Sequence, residues 1–200
     1  MPANPSPPAT PNTSAATIAA VAGPPLQVVV MGPPLQVVVM GVSGCGKSTV
    51  GAQLAQALGI DFLEGDSLHP ARNLALMAAG TPLTDADRAD WLATIAGQLG
   101  AAQAAGQGRV VSCSALKRRY RDQLRAACPG LRFLHLHGTA PLLRRRLAAR
   151  TGHYMPASLL DSQLAALQPP SADERAIIID IGPPTAQVVT MALAHLQHRP

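Results

Sequence analysis

The sequence predicts an α/β fold of three layers, in which a five-stranded parallel sheet lies between two layers of helices. A glycine-rich segment of the phosphate-binding type directly follows an apolar, β-branched run. Beyond it, apolar strand patterns alternate with helical patterns along the rest of the chain. Strands that alternate with helices are typical of parallel sheets whose two faces are both covered by helices.

The glycine-rich segment is the strongest of these signals. It reads Gly41-Val42-Ser43-Gly44-Cys45-Gly46-Lys47-Ser48-Thr49 and fits the pattern G-x-x-x-x-G-K-[ST] at every fixed position. Glycines allow backbone N–H groups to turn inward around phosphate oxygens. Lys47 can reach the β- and γ-phosphates, and the Ser48 hydroxyl can bind Mg²⁺. The segment is therefore predicted to bind a nucleotide at the positive N-terminal end of the next helix.

The other elements are predicted from the alternation of strand and helix patterns. The strand candidates are residues 35–40, 60–64, 109–113, 132–136 and 176–181. The helical patterns cover residues 47–58, 70–79, 85–105, 117–127, 139–150, 156–167 and 185–197. Open parallel sheets bind their ligands at the carboxyl ends of the strands, so we expect the functional residues at that edge.

Residues 1–34 are predicted to form a disordered tail, and residues 35–200 the folded domain. Residues 1–22 are rich in Pro, Ala, Ser, Thr and Asn and carry no charged side chain. A nine-residue segment, Gly-Pro-Pro-Leu-Gln-Val-Val-Val-Met, then occurs twice in tandem, at 23–31 and 32–40. Only the second copy joins the phosphate-binding segment directly. That copy is therefore predicted to supply the first strand, and the first copy is assigned to the tail.

Composition narrows the class of protein. A length of 200 residues is typical of one domain, and no apolar run reaches the length of about 18 residues that spans a bilayer. Three cysteines without metal-ligand spacing favour a reducing, cytoplasmic location. The net charge is +5, but aromatic residues make up only 2%, which leaves little for stacking on bases. We therefore expect a polyphosphate ligand, with no nucleic acid or membrane partner.

The second predicted strand ends at a candidate catalytic carboxylate, Asp66. A carboxylate at this edge can accept the proton of an attacking hydroxyl, or hold Mg²⁺ through water. The alternative is that Asp66 caps the helix that begins near Pro70, but its position favours the catalytic role. His69, in the same loop, can form a hydrogen bond with a polyol or a carboxylate.

Basic residues follow the third and fourth predicted strands. Lys117 and Arg121 are four residues apart, share a helical face and are candidates for binding an anionic substrate, while Ser114 is expected to cap their helix. Arg146 and Arg150 share a face of a helical hairpin, which is predicted to swing them onto the transferred phosphoryl group and to exclude water. The alternative in each case is a solvated basic helix.

Taken in order, these motifs resemble the gluconate kinases (gluconokinases) of the small phosphate-loop type, over roughly residues 35–198. Besides the phosphate-binding segment, the resemblance rests on Gly65-Asp66, Leu68-His69-Pro70, Asp87-Arg88, Cys113-Ser114-Ala115-Leu116-Lys117, Tyr120-Arg121-Asp122, Arg146-Leu147, Ser162-Gln163 and Ala172-Asp173-Glu174-Arg175.

The resemblance implies a reaction and a set of site residues. The reaction is ATP-dependent phosphorylation of D-gluconate at its 6-hydroxyl, with ATP and Mg²⁺, in a homodimer of the nucleoside monophosphate kinase fold. The implied sheet order is 2-3-1-4-5, with a helical lid near residues 141–165. The implied catalytic residues are Lys47, Asp66, Arg146 and Arg150, with Ser48 and Asp66 at the metal. The implied gluconate ligands are Asp66, His69, Arg72, Arg88 and Lys117.

Two other functions remain open from the sequence. One is a shikimate-kinase-like or adenylylsulfate-kinase-like activity on the same fold, although the Gly-Gly-Gly turn expected of the shikimate group is absent. The other is a nucleotide switch or an RNA-binding module built on a phosphate loop. Asp66 and the paired arginines, Arg146 and Arg150, argue against the second class, because a pure switch requires neither.

Overall fold

A computed structural model of the chain describes residues 34–149 and 157–197. In these residues five strands form one parallel sheet in the order β2-β3-β1-β4-β5, which confirms the implied order. The strands are β1 (Gln36–Met40), β2 (Asp61–Glu64), β3 (Arg109–Ser112), β4 (Arg132–His137) and β5 (Ile177–Asp180). The predicted tail, up to residue 33, and Arg150 lie outside the described residues.

The helices connect these strands in the predicted alternation. They are α1 (Lys47–Leu58), α2 (Ala71–Ala78), α3 (Asp85–Ala104), α4 (Arg118–Ala127), α5 (Ala140–Ala148), α6 (Ala157–Ala166) and α7 (Thr185–Gln197). Short 3₁₀ helices lie at Gly65–Leu68 and Ala172–Glu174. Each predicted strand and helix is confirmed to within two residues at either end.

β1 lies in the middle of the sheet, and its side chains pack against helices on both faces, which gives the fold its three layers. All five of its residues are buried, and its side chains alternate between the two faces. Val37 and Val39 belong to a core with α1 and α7, whereas Val38 and Met40 belong to a core with α3 and α4. A strand buried on both faces is apolar throughout, which is why residues 37–40 are an unbroken apolar run. No helix within the described ranges is both long and apolar enough for a membrane span.

Candidate active site

The loop between β1 and α1 has the backbone that its glycines predict. Gly41, Gly44 and Gly46 have φ angles of +141°, +82° and +93°, in the region that L side chains rarely adopt. A Cβ atom on Gly41 would lie 2.8 Å from the carbonyl oxygen of Leu136, so side-chain volume is excluded there as well. Lys47 is the first residue of α1, and its Nζ donates to the carbonyl oxygen of Val42 at 3.2 Å. The ammonium group is therefore held over the loop that would cradle the phosphates.

A cavity at the carboxyl edge of the sheet brings together several of the predicted site residues. Lys47, Asp66, His69 and Arg88 all line it. A second cavity shares Arg88 with the first and is also lined by Lys117. Residues that are distant in sequence thus meet at one edge, as expected for a parallel sheet.

The turn that carries Asp66 is held from three sides. The Gly65 N–H donates to the Ser112 hydroxyl at 3.0 Å, and Trp91 Nε1 donates to the Gly65 carbonyl oxygen at 2.7 Å. Glu64 Oε1 accepts from the Asp66 N–H at 3.4 Å, and it also accepts from the Ser112 hydroxyl. A Cβ atom on Gly65 would collide with the Ser112 carbonyl oxygen. Glycine is therefore required for β2 to deliver Asp66 this close to the end of β3.

Asp66 does not cap α2. The helix begins at Ala71 with Pro70 as its N-cap residue, and no side chain forms a capping hydrogen bond there. Asp66 instead lies in the first turn of the short helix Gly65–Leu68 and lines the cavity. The capping alternative is therefore wrong, and Asp66 lies on the wall of a cavity that a ligand could enter.

His69 is a buried, neutral member of the cavity wall. The residue is 7% exposed, and its ring stacks on Trp91 with 4.2 Å between centroids and an angle of 13° between planes. Burial lowers the pKa of His69 to about 4; Asp66 opposes this shift and Arg88 adds to it. Because that pKa lies well below neutral pH, the ring is neutral and could contact a ligand only through hydrogen bonds, not through charge.

The remaining predicted gluconate ligands differ in position. Lys117 lines the second cavity, where its Nζ lies 2.8 Å from Asp85 Oδ1. Arg72 lies on the outer side of α2 with its side chain 79% exposed, and it pairs with Asp87 at 3.3 Å. Arg72 lines neither of the two cavities. The structure thus brings Arg88 and Lys117 to the site but does not bring Arg72 there.

The prediction that Arg121 binds an anion beside Lys117 is wrong. Arg121 is 0% exposed, and its Nε and Nη2 donate to the two carboxylate oxygens of Glu174 at 2.6 and 2.7 Å. Its Nη1 donates to the carbonyl oxygen of Ala115 at 3.1 Å, and Ala115 has a φ of +41°. The Arg121 guanidinium is therefore bound by a buried carboxylate that lies 53 residues further along the chain, and it stabilises the turn before α4.

The predicted helix cap at Ser114 is also wrong. The N-cap residue of α4 is Lys117, and no side chain forms a capping hydrogen bond there. Ser114 lies three residues before Lys117 and lines the first cavity instead. The turn at Ala115 separates Ser114 from the helix and leaves its side chain at the carboxyl edge of the sheet.

The structure describes one of the two arginines predicted to act from the lid. Arg146, on α5, is partly buried, and its Nη2 donates to the carbonyl oxygen of Ile181 at 2.7 Å. Ile181 follows β5 directly, so Arg146 lies at the same sheet edge as the phosphate-binding loop. Arg144 and Asp161 join α5 to α6 across 2.7 Å.

Gln163 had no predicted role, but in the structure this residue of α6 contacts the phosphate-binding loop. Its Oε1 accepts a hydrogen bond of 2.7 Å from the Ser43 N–H. Gln163 also lines both cavities, as does Ser162 beside it. The pair Ser162-Gln163 was part of the motif series, which is the signal that could have pointed to it. Through this contact α6 covers the phosphate-binding loop.

The two residues predicted at the metal suit Mg²⁺. In the described part of the chain, no group of three or more His, Cys, Asp or Glu side chains could hold a metal ion. Mg²⁺ at nucleotide sites requires less, because it is bound through one or two carboxylates, substrate phosphates and several waters. Asp66, in the cavity with Lys47, and Ser48, in the first turn of α1, offer the oxygen donors that this arrangement uses.

Comparison with known proteins shows the family of the chain. The family model described as "AAA domain" matches residues 37–170. Over 136 residues the chain is 52% identical to a gluconokinase from Gluconobacter oxydans (strain 621H), a match that covers 68% of this chain and 76% of that protein. The chain belongs to the gluconokinase family. The resemblance inferred from the motifs is thereby confirmed, and the protein is a kinase.

Solved structures of similar proteins support the same gluconokinase assignment. A gluconokinase from Sinorhizobium meliloti 1021 is 49% identical, with a TM-score of 0.76 over 82% of this chain and 93% of its own. A sugar kinase from Janibacter sp. HTCC2649 is 46% identical, with a TM-score of 0.79 over 82% of this chain and 95% of its own. The three-layer fold of this gluconokinase-family chain is therefore shared with solved kinases.

Proposed function

We propose that this chain transfers the γ-phosphoryl group of ATP to the 6-hydroxyl of D-gluconate and yields 6-phospho-D-gluconate. The observation that carries the proposal, together with family membership, is a single cavity. It joins Lys47 of the phosphate-binding loop to the carboxylate of Asp66 and to His69 and Arg88. A phosphate donor and a hydroxyl acceptor bound there would lie next to each other, and bringing them together is most of what phosphoryl transfer requires.

Residues 41–49 bind the phosphates of ATP in this proposal. Their backbone N–H groups surround the phosphate oxygens, and Lys47 contacts the β- and γ-phosphates. Mg²⁺, held by the Ser48 hydroxyl and through water by Asp66, would neutralise charge on the β- and γ-oxygens. Asp66 accepts the proton of the attacking hydroxyl as the new O–P bond forms and the bond from the γ-phosphorus to the bridging oxygen breaks, which releases ADP.

The other side chains of the site bind the substrates and stabilise the charge on the transferred phosphoryl group. His69, Arg88 and Lys117 contact gluconate, and Arg72 is a more distant candidate because it lines neither cavity. Arg146 and Arg150 act from the lid, residues 141–165, on the phosphoryl group as its charge spreads over the equatorial oxygens. The cover that α6 provides through Gln163 also excludes water, which would otherwise compete with the sugar acid for the phosphoryl group.

The assembly and location are part of the same proposal. We infer a homodimer in the cytoplasm, with a kinase domain over residues 35–200 that follows the tail sequence, and with no nucleic acid or membrane partner. All three cysteines are buried and free, which suits a reducing compartment.

An acceptor panel tests the reaction. Purified protein receives Mg·ATP with gluconate, shikimate, adenylylsulfate or RNA, and the release of ADP is followed over time. We expect turnover that depends on gluconate. Turnover that is absent with gluconate, or equal without any acceptor, would overturn the proposal, and a response to another acceptor would replace it with that activity.

The role of Asp66 is tested by Asp66→Asn. The amide cannot accept the hydroxyl proton, so we expect kcat to fall by about 10²–10⁴-fold, the usual contribution of general-base catalysis. ATP binding, measured by calorimetry, should persist. Asp90→Asn is the matched control, because Asp90 is exposed and lines neither cavity. An unchanged kcat in Asp66→Asn would remove Asp66 from the base role.

A further inference from the structure

We propose that Asn73 is a positioning residue that fixes the tautomer of His69, so that His69 offers the acceptor substrate a neutral Nε2–H donor. The inference rests on the proposed function, since it specifies how His69 recognises an oxygen of the sugar acid. It assigns a role to Asn73, a buried side chain on α2 that the mechanism otherwise leaves unused.

The orientation of the Asn73 amide follows from a backbone carbonyl. Asn73 Nδ2 lies 2.6 Å from the carbonyl oxygen of Asp87, in the first turn of α3. A carbonyl oxygen can only accept, so the amide atom that faces it must be the nitrogen. Asn73 itself is 3% exposed, which leaves little freedom for the amide to turn over.

The same nitrogen determines the protonation of His69. Asn73 Nδ2 lies 3.3 Å from His69 Nδ1, and an amide nitrogen carries two hydrogens and accepts none. One hydrogen goes to Asp87 and the other to His69, so Nδ1 must be the unprotonated nitrogen of the ring. A neutral imidazole then carries its proton on Nε2, which is the nitrogen left to serve a ligand in the cavity that His69 lines.

The surroundings of the ring keep it neutral and fixed. Stacking on Trp91 sets the ring plane, and Trp91 is in turn held by its hydrogen bond to Gly65. Two charged groups act on the ring: Asp66, from its own loop, favours the imidazolium, whereas Arg88, from α3, disfavours it. Burial outweighs both and lowers the pKa of His69, which favours the neutral ring. The contact from Asn73 Nδ2 to His69 Nδ1 then decides which nitrogen of the neutral ring carries the proton.

This arrangement suits a particular kind of substrate atom. The cavity already contains the cations Lys47 and Arg88, which serve phosphate and carboxylate charge. A neutral N–H donor adds a directional hydrogen bond to an acceptor oxygen without adding a further positive charge. His69 would therefore recognise a hydroxyl or carboxylate oxygen of the sugar acid by geometry.

The tautomer is tested directly by long-range ¹H–¹⁵N NMR of the histidine rings in the full chain. The His69 signals are assigned by their loss in His69→Gln. We expect the pattern of an Nε2–H ring at neutral pH. In Asn73→Asp a carboxylate replaces the amide donor, so the proton should move to Nδ1; in Asn73→Ala the two tautomers should mix. An Nδ1–H ring in the unmodified chain, or a pattern that neither variant changes, would overturn the proposal.

Kinetics test what the tautomer does for the substrate. Asn73→Ala should raise the KM for gluconate about tenfold and leave the KM for ATP within about twofold, since it touches only the acceptor side. Gln103→Ala is the matched control: it also removes an amide-to-carbonyl hydrogen bond, from Gln103 to Pro129 at 2.7 Å, but on the exposed side of α3. A rise in both KM values, with a lowered melting temperature, would reduce Asn73 to a structural residue.

A pair of substitutions at His69 separates the two ring nitrogens. The amide nitrogen of Gln reaches the region of Nε2, whereas that of Asn reaches only the region of Nδ1. His69→Gln should therefore keep at least about tenfold more kcat/KM than His69→Asn. Equal losses would overturn the donor role. If the unmodified protein does not phosphorylate gluconate at all, the proposed function fails, and the NMR result alone decides the role of Asn73.

Discussion

The two arginine-rich helices, α4 and α5, look alike in sequence and differ in structure. In α4, Arg118, Arg121 and Arg125 all converge on acidic side chains, of which Glu174 is the common centre. In α5, Arg146 donates to a backbone carbonyl at the edge of the sheet that carries the phosphate-binding loop. The difference teaches that a run of positive charge becomes a brace or a ligand site according to which distant carboxylates the fold brings to it.

The comparison has an energetic side. Arg121 and Glu174 have side chains that are 0% and 1% exposed, so neither charge is solvated by water if its partner is lost. Arg118 pairs with Asp173 at 2.8 Å, but these side chains are 44% and 63% exposed. Ion pairs made by two arginines of the same helix are therefore expected to differ several-fold in their contribution to the free energy of unfolding.

The largest expected effect is on catalysis, at Arg146. Arg146→Ala should lower kcat by about 10²–10³-fold, because a cation is removed from the charge that develops on the phosphoryl group. The melting temperature should change little. Arg145→Ala is the control, since Arg145 is the exposed neighbour on the same helix. A normal kcat with a lowered melting temperature would make Arg146 a second brace and end the contrast between the helices.

The next effect is on stability, at Glu174. Glu174→Gln leaves Arg121 buried with an uncompensated charge, so urea unfolding should show a loss of about 3–5 kcal/mol. The kcat of the folded fraction should stay close to that of the unmodified chain. Asp173→Asn, which alters an exposed carboxylate, should lower the free energy of unfolding far less than Glu174→Gln does. Equal costs for the two variants would show that burial does not distinguish these pairs.

Acid titration sharpens the same contrast. Burial raises the pKa of Glu174, but hydrogen bonds from Arg121, the Ser171 backbone and Arg125 outweigh it and lower the pKa from 4.5 to about 2. A carboxyl whose pKa is lowered by folding stabilises the fold above its unfolded pKa. Stability should therefore fall as the pH decreases from 4.5 to about 2, and this fall should be weaker in Glu174→Gln. Unfolding at a series of pH values, monitored by circular dichroism, measures this dependence. If stability depends on pH as steeply in Glu174→Gln as in the unmodified chain, the prediction is wrong.

The smallest effect is expected at Arg118. Arg118→Ala removes an exposed pair with Asp122 and another with Asp173, and water screens the attraction in such exposed pairs. The free energy of unfolding should change far less than in Glu174→Gln, and kcat should not change. A loss as large as that of Glu174→Gln would mean that the whole cluster, rather than its buried pair, stabilises α4.

The elements of the fold were predictable because their signals are local. Apolar runs and longer helical patterns are read within a few residues, and the unbroken apolar run at residues 37–40 indicates a buried strand. The position of Asp66 was predictable too, because parallel strands present their carboxyl ends at one edge. The phosphate-binding loop was predictable from its glycines, because the loop backbone has positive φ angles that glycine adopts readily.

The contacts that orient the site residues were not predictable in this way, because they join distant parts of the chain. Ser112 holds Glu64 from 48 residues away, and Gln163 reaches Ser43 across 120 residues. Arg121 was misassigned for the same reason, since nothing near it in sequence indicates Glu174 as its partner. A single sequence shows which side chains could bind a ligand. It does not show which of them are already bonded to other residues of the protein.

The hydrogen bond from the Ser43 N–H to Gln163 has a consequence for the apparent affinity of nucleotides. A phosphate oxygen that accepts this N–H must first displace the amide oxygen of Gln163. The exchange subtracts the same free energy, about 1 kcal/mol for an ordinary hydrogen bond, from the binding of every nucleotide that uses the group. The affinities for ATP and ADP would then both be lowered by the same factor of about fivefold. The contact would favour release of either nucleotide without changing the preference between them.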